Sequence, residues 1–466
     1  MEKIWSILTG AVVLCVGSMW IFGTWSLNGY QPGVTRCPLE LVGDESTGCY
    51  GSSLASFEGL SYGPQGYMNW DSVVVGELST LPIFGEKPRL LRGRGCDSHE
   101  VDPVGASCTW GLAVPPHFNP SILPIPDSSP LRKVGKYIGI ARPPSTKLPQ
   151  ELGVPNLPRW RRGEGFIQEE DGPLPPTVMI YGENMRVKAV AKLFDKVHPG
   201  QQSDSRLLRF GSEWWVHFRA DCLIRGVNAS SPPVGVECDR TNGWVGEHRK
   251  QRAVLMRLVP EVWVMQGKMG LMIRADPATL LPLIGPLSGK NQAFFQVGEG
   301  STARQFVLAW LNPTTVHEIR GGAIDSKPLP GSGISHPHMP SLEFVHLNGG
   351  QLVYLPESEE FLGIGHHIYR KPDGYRLYNI HLFYTLSTKP PYPLSRISPE
   401  FCFESTSKKG DCEKRQFAMG MIVEKREGGR KTQLLIPYGV NNYEAKLFIM
   451  PLREALALLR PVSELR

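Results

Sequence analysis

The feature that most constrains this chain is a succession of short β-like runs separated by glycine and proline. The sequence has 50 glycines and 41 prolines in 466 residues, with neither a tripeptide period nor a low-complexity tract, which predicts many turns between short strands. The predicted strands are Lys136–Arg142, Thr177–Tyr181, Arg186–Phe194, Glu213–Phe218, Glu261–Gln266, Arg304–Leu311, Gln351–Leu355, Phe361–Tyr369, Tyr378–Leu386, Arg415–Lys425, Lys431–Tyr438 and Ala445–Met450.

The one clear helical pattern lies at the C-terminus. Pro451 stands at a helix start, and Leu452, Ala455, Leu456 and Leu459 follow at the three-to-four spacing of a short amphipathic helix. Many strands with almost no helix predict an all-β fold, and the pattern alone leaves sandwich, barrel and propeller open.

An apolar run near the N-terminus predicts entry into the secretory pathway. Ile4–Leu27 carries no charged residue and exceeds the roughly 20 residues that cross a bilayer as a helix. Trp5, Trp20 and Trp25 lie toward its ends, where aromatic rings settle at the interface. A cleaved signal peptide is the alternative, but Phe22–Leu27 offers no small-residue cleavage site. We therefore expect a retained signal-anchor.

The nine cysteines support the same compartment. Cys15 falls inside the apolar run and is expected to be unpaired, whereas an even number in an exported domain indicates disulfides. We expect the other eight to pair in chain order, although eight cysteines allow 105 connectivities. The expected pairs are Cys37 with Cys49, Cys96 with Cys108, Cys222 with Cys238, and Cys402 with Cys412.

Three segments are predicted: a cytoplasmic tip and membrane anchor over 1–27, a stem with a small cysteine-containing subdomain over 28–116, and a large β domain over 117–466. Asn228 begins a usable N-glycosylation sequon, whereas Pro313 blocks the one at Asn312. The predicted location is a single-pass type II membrane protein of the Golgi or endoplasmic reticulum with a lumenal C-terminal domain, with secretion as the alternative. The net charge of +6 is modest, and neither of the two basic clusters has a nucleic-acid pattern, the clusters being Arg159, Arg161 and Arg162, and Arg249, Lys250 and Arg252.

Common nucleotide, hydrolase and metal signatures are absent from the sequence, including Asp-x-Asp, so it predicts neither a cofactor nor a metal. Four constellations remain, each a strand with a polar group at one end or on one face. They are His117–Ile122 with Tyr137–Arg142, Gly289–Asn291 with Phe306–Pro313, Phe361–His367 with Asn379–Tyr384, and Leu434–Ala445.

In this order the constellations resemble the five-bladed β-propeller clan of mannoside phosphorylases, related glycoside hydrolases and mannosyltransferases. The resemblance spans His117 to Leu459. It implies a five-bladed propeller behind the anchor and stem, with a short C-terminal helix. It also implies that five side chains line a central pocket, two of them, Arg142 and Lys290, suited to a phosphate or donor diphosphate. The five are Asn119, Arg142, Lys290, Asn291 and His366.

Two departures from that clan bear on catalysis. The clan's acidic residue before Pro-Arg in the second blade is missing from the stretch Gly172–Met179, and Asn442 stands where the clan has Asp. Because an amide cannot transfer a proton, the carboxylate needed at an anomeric carbon must come from elsewhere. Asp171 and Asp221 are the candidate catalytic residues, and the sequence does not choose between them.

The expected function is a secretory-pathway glycosyltransferase that moves a hexosyl unit, mannosyl transfer being the leading case. Its expected partners are a carbohydrate, with a nucleotide sugar or sugar phosphate, and the membrane, but no nucleic acid. A glycosidase or phosphorylase of the same clan and a catalytically inactive glycan-binding propeller stay open. A structural role for single residues also stays open, with Asn119 starting a turn before Pro120, and with His366, His367 and His381 as hydrogen-bonded strand histidines.

Overall fold

The computed structural model describes the greater part of the β domain and the strands just before it. The described residues are 83–84, 86, 88–95, 107–112, 118–142, 176–192, 203–222, 250–265, 268–275, 279–280, 291–320, 323–370, 376–405, 410, 412–413, 416–425, 432–440 and 444–465.

Strands in this part form five sheets. Preceding the first sheet are β1 (Arg89–Leu91), β2 (Arg94–Gly95) and β3 (Cys108–Gly111). The first sheet contains β4 (Phe118–Pro124), β5 (Tyr137–Arg142), β6 (Thr177–Tyr181) and β7 (Val187–Lys192). The second contains β8 (Ser203–Phe210), β9 (Glu213–Cys222), β10 (Lys250–Met265), β11 (Lys268–Ala275) and β12 (Thr279–Leu280). The third contains β13 (Ala293–Val297), β14 (Arg304–Leu311), β15 (Thr314–Arg320) and β16 (Ala323–Ile324).

The last two sheets take in strands from both ends of the described chain. The fourth contains β17 (His346–Leu347), β18 (Val353–Leu355), β19 (Glu360–Arg370), β20 (Arg376–Ser387), β21 (Leu394–Ile397) and β22 (Phe401–Phe403). The fifth contains β23 (Phe417–Ala418), β24 (Ile422–Lys425), β25 (Thr432–Val440) and β26 (Glu444–Pro451). Helix α1 (Leu452–Ala457) and strand β27 (Arg460–Pro461) end the chain, with short 3-10 turns at Pro130–Lys133, Gly300–Thr302, Pro340–Phe344 and Val462–Glu464.

Strands from the N-terminal side complete the two C-terminal sheets. Strand β3 pairs with β26 in the fifth sheet, and β1 pairs with β22 in the fourth, which also receives β27. Strands of the last two sheets therefore pair with strands that come before the first sheet in the chain. This pairing joins the last two sheets to the first part of the fold.

Five apolar clusters fill the spaces between successive sheets. Leu207 on β8 packs toward the first sheet and Leu208 toward the third, because successive side chains on a strand point to opposite faces. Further clusters join the third sheet to the fourth, the fourth to the fifth, and the fifth back to the first, the last of these containing both Leu447 and Ile122. Each sheet is thus covered on both faces, and the arrangement is a closed, propeller-like ring.

This architecture confirms the all-β prediction and the short C-terminal helix. The helix begins at Leu452, because Pro451 ends β26. The disulfide between Cys402 and Cys412 is present, and Cys108 is also disulfide-bonded. The other predicted disulfide cysteines lie outside the described residues, except Cys222, for which only the position on β9 is described.

Among the described residues, no helix is long and apolar enough to cross a membrane. The predicted anchor Ile4–Leu27 and the sequon at Asn228 lie outside these residues. Strands β1 to β3 fall within the segment predicted as stem and subdomain, and they pair with strands of the fourth and fifth sheets.

Candidate functional site

A buried guanidinium on the second sheet contacts residues that flank or belong to the third, fourth and fifth sheets. Arg206 follows a register irregularity in β8 and has no exposed surface. Its Nη2 donates to Asn291 Oδ1 at 3.3 Å, its Nε donates to the carbonyl oxygen of Asn348, and its guanidinium carbon lies 5.7 Å from the ring centre of Phe417. Burial lowers the pKa of Arg206 to about 9, so the group remains a cation at neutral pH.

Asn348 connects Arg206 to a buried histidine. Its side-chain Nδ2 donates to the carbonyl of Ala418 at 2.7 Å, and its Oδ1 lies 2.7 Å from His366 Nδ1. The next residue, Gly349, has φ +73° and its Cβ position would lie 2.2 Å from Arg206 Nε, so a side chain is excluded there.

Asn119 approaches the same place from the first sheet. It sits in a β-bulge of β4 with φ +50°, a left-handed conformation that Asn tolerates better than most residues. Its Oδ1 lies 2.0 Å from the Cβ position of Gly439, whose strand partner is Phe417. We call Asn119, Arg206, Asn291, Asn348, His366 and Phe417 the central cluster.

A row of histidines extends from the central cluster into the fourth sheet. His346, His366 and His381 are neighbours across β17, β19 and β20, with ring centres 5.4 Å and 6.4 Å apart. Burial holds the pKa of His366 well below its usual value, and the neighbouring histidines and Arg206 lower it further. Burial lowers the pKa of His381 to about 3. At neutral pH these two rings are therefore uncharged.

His217 adds another neutral ring beside Arg206. Burial and then the charge of Arg206 lower its pKa to about 3, while the Gln292 side chain opposes the shift. Neither ring nitrogen has hydrogen-bond geometry with a described group.

The residues predicted from the sequence are placed as follows. Asn119, Asn291 and His366 belong to the central cluster. Arg142 ends β5, is half-buried, and its strand partner is Phe118, the residue before Asn119. Lys290 and Asp171 lie outside the described residues, and for Asp221 only its position on β9 is described.

The neighbouring histidine of the same motif has a separate environment. His367 Nδ1 bonds the carboxylate of Glu400, and its Nε2 lies 2.9 Å from the carbonyl oxygen of Ser341. The side chains of His367 and Glu400 are both buried. Because both ring nitrogens of His367 have partners within the fold, His367 is a structural residue of the fourth sheet.

Arg206, Asn348 and Phe417 were missed by reasoning from the sequence. Arg206 lies in the run Ser203–Phe210, which carries one aspartate and two arginines among its eight residues and so suggests a solvated strand. Asn348 precedes two glycines, a turn signal that does not reveal what the amide contacts.

The cluster is suited to hydroxyl-rich ligands. Carboxamides donate and accept hydrogen bonds, neutral imidazoles do the same, and a partly buried aromatic ring such as Phe417 offers an apolar face. Within the described part of the chain, no group of three or more His, Cys, Asp or Glu side chains is arranged to bind a metal ion.

The sequence matches no protein-family model and no curated protein. Solved structures similar to the chain include the β-1,2-mannobiose phosphorylase of Listeria innocua, with 12% identity, 84% of this chain and 98% of that chain covered, and a TM-score of 0.38. A mannose phosphorylase from Leishmania mexicana, solved with a phosphate ion, has 12% identity, coverage of 85% and 91%, and a TM-score of 0.34.

A GDP-Man-dependent mannosyltransferase from Leishmania mexicana has 12% identity, coverage of 72% and 85%, and a TM-score of 0.32. Scores and identities of this size do not establish a common fold or activity. The propeller-like arrangement described above rests on the pairing of strands and on the five apolar clusters of this chain.

Proposed function

We propose that the chain is a secretory-pathway glycosyltransferase that moves a hexosyl unit, with mannose as the leading sugar, at the centre of a five-bladed propeller. The observation that carries the proposal is the contact path from Asn291 through Arg206 and Asn348 to His366. Groups from three sheets meet there, and they are the amides and imidazoles that a polyhydroxylated ligand requires.

The guanidinium of Arg142 supports a phosphorylated donor. Arg206 holds Asn291 and Asn348 in place through its hydrogen bonds. Arg142 ends β5, next to the strand that carries Asn119. A half-buried guanidinium at Arg142 is suited to the phosphate of a nucleotide sugar or sugar phosphate. In this proposal Asp171 or Asp221 supplies the carboxylate.

The test is an assay on the full chain, purified in detergent. It is incubated with GDP-mannose or mannose 1-phosphate and manno-oligosaccharide acceptors, and the products are identified by mass spectrometry. Transfer that falls at least about tenfold in Asn291→Ala and in Arg142→Ala, with an unchanged melting temperature, supports the proposal. Release of mannose 1-phosphate from mannobiose and inorganic phosphate, without transfer, supports a phosphorylase instead.

A glycan-binding protein without activity is the second candidate, and the amide at Asn442 favours it, because the clan that the sequence resembles carries an acid there. Mannose binding with no turnover of any donor supports this candidate. A chain that binds none of these sugars contradicts both.

The compartment is part of the proposal. Disulfides at Cys402–Cys412 and at Cys108 suit an oxidising lumen, and the run Ile4–Leu27 suits a membrane anchor. Full-length protein that stays in membranes after carbonate extraction, and that loses mass on treatment with a glycosidase specific for N-linked glycans, supports lumenal anchoring and a glycan at Asn228. A shortened chain beginning near Asn28 indicates a cleaved signal peptide.

A further inference from the structure

Two hydrogen bonds of Asn348 determine which nitrogen of His366 carries a proton. An amide nitrogen can only donate, and Asn348 Nδ2 lies 2.7 Å from the carbonyl oxygen of Ala418. The orientation of the amide is therefore fixed by the backbone. Its Oδ1, which can only accept, lies 2.7 Å from His366 Nδ1, so Nδ1 must be the protonated nitrogen.

The other nitrogen of His366 then carries a lone pair. Within the described residues, Nε2 makes no hydrogen bond, and His366 as a whole is 2% exposed. The lone pair is therefore available only to a ligand that enters the central cluster.

The surroundings of His366 keep it neutral. His346 and His381 lie on either side of it across the sheet, His367 follows it, and Arg206 is held by the same asparagine. Burial is the main reason that the pKa of His366 is lowered, and each of these groups further opposes a second proton on the ring.

We propose that Asn348 locks His366 in the Nδ1–H tautomer, so that Nε2 accepts a hydrogen bond from a sugar hydroxyl and does not bind a phosphate oxygen. Asn348 is thus a positioning residue, and the ligand assignment rests on the proposed function. A hydroxyl can donate to the lone pair, whereas an ionised phosphate oxygen carries only lone pairs and a negative charge and would repel it. Any phosphate of the donor must then lie elsewhere, on the side of Arg142.

The tautomer is measured directly on the full chain with ¹⁵N-labelled histidine. Long-range ¹H–¹⁵N correlation distinguishes a protonated from an unprotonated ring nitrogen, and the spectrum of His366→Gln assigns the signal among the 12 histidines. An unprotonated Nε2 at neutral pH is expected. A protonated Nε2 overturns the inference, with or without a ligand.

Asn348→Asp tests the lock. A carboxylate beside Nδ1 favours the imidazolium and raises the pKa of His366, which turns Nε2 into a donor. We expect mannose affinity to be flat from about pH 5 to 8 in the wild type, and to fall roughly tenfold toward the acid end in Asn348→Asp, while inorganic phosphate binds more tightly.

The matched control is Asn312→Asp. Asn312 is also a buried asparagine whose amide bonds backbone groups, at His336 and Met339, but it contacts no ring of the histidine row. The same pH profile in both variants, or no change in Asn348→Asp, overturns the lock. If the wild type binds no sugar, the proposed function fails, and the tautomer measurement still decides the inference.

Discussion

Adding one methyl group at Gly439 should push Asn119 out of the central cluster. The Cβ of Gly439→Ala would lie 2.0 Å from Asn119 Oδ1 and 2.7 Å from its backbone nitrogen. Ordinary carbon–oxygen contacts are longer than 3 Å, so either the side chain or the bulge that carries it must move. Gly439 lies inside strand β25, and we attribute the cost of the substitution to crowding.

The size of the effect follows from two costs. Overpacking of a buried site costs about 1–3 kcal/mol, and breaking the polar contact of Asn119 adds about 1 kcal/mol. The sum, about 2–4 kcal/mol, corresponds to a fall of roughly 3–5 °C in melting temperature, because a domain of about 350 residues unfolds with an entropy of about 0.7 kcal/mol/K.

The assay is a double-mutant cycle read by differential scanning fluorimetry and by mannose affinity. In the background Asn119→Gly, which suits φ +50°, the side-chain clash is gone and only the backbone contact remains, so the cost of Gly439→Ala should fall by about half. Equal costs in both backgrounds would show that Gly439 does not act on the Asn119 side chain, and would refute the placement of Asn119.

Three further predictions concern stability, each read from melting temperature. Replacing Cys402 and Cys412 by alanine, ten positions apart, should cost about 2–3 kcal/mol in the chain-entropy model, and an unchanged melting temperature would contradict this. Lys446→Met should cost about 3–5 kcal/mol and Lys446→Arg much less, because Lys446 Nζ bonds Glu413 at 2.7 Å in a buried site. Burial lowers the pKa of Lys446, but Glu413 and Glu444 raise it by more, so this stabilisation is present below about pH 10 and lost only above it. The hydrogen bond from Arg304 outweighs burial and lowers the pKa of Glu318 to about 2, so its stabilisation is lost as the pH falls from about 4.5 toward 2, and Glu318→Gln should flatten that acid limb.

Some of the fold could be read from the sequence because its signal is local. Thr177–Tyr181 and Arg304–Leu311 are apolar enough that both ends of each strand were predicted correctly. The C-terminal helix was also predicted, since the spacing of its leucines is a local property.

Other strands were missed because tertiary contacts, not local pattern, define them. In β10, which runs over Lys250–Met265, only the part from Glu261 was predicted, since its first half mixes charged and apolar residues. Strand β8 was not predicted for the same reason, and its Arg206 is buried against the rule that charged residues stay exposed.

The residues of the candidate site also fall into two groups, those that the sequence indicated and those that it did not. Asn119, Asn291 and His366 stand in motifs whose order resembles a known clan, so the sequence singled them out. Arg206 and Asn348 have no such motif, and the bond that joins them connects residues 142 positions apart in the chain. A propeller-like ring brings such residues together only when it closes.

The most direct test of this account is an experimental structure of the full chain with mannose 1-phosphate. We predict that the sugar occupies the central cluster, with a hydroxyl within about 3.2 Å of His366 Nε2 and the phosphate on the side of Arg142. A ligand bound away from these residues, or a phosphate oxygen on His366 Nε2, would contradict the account.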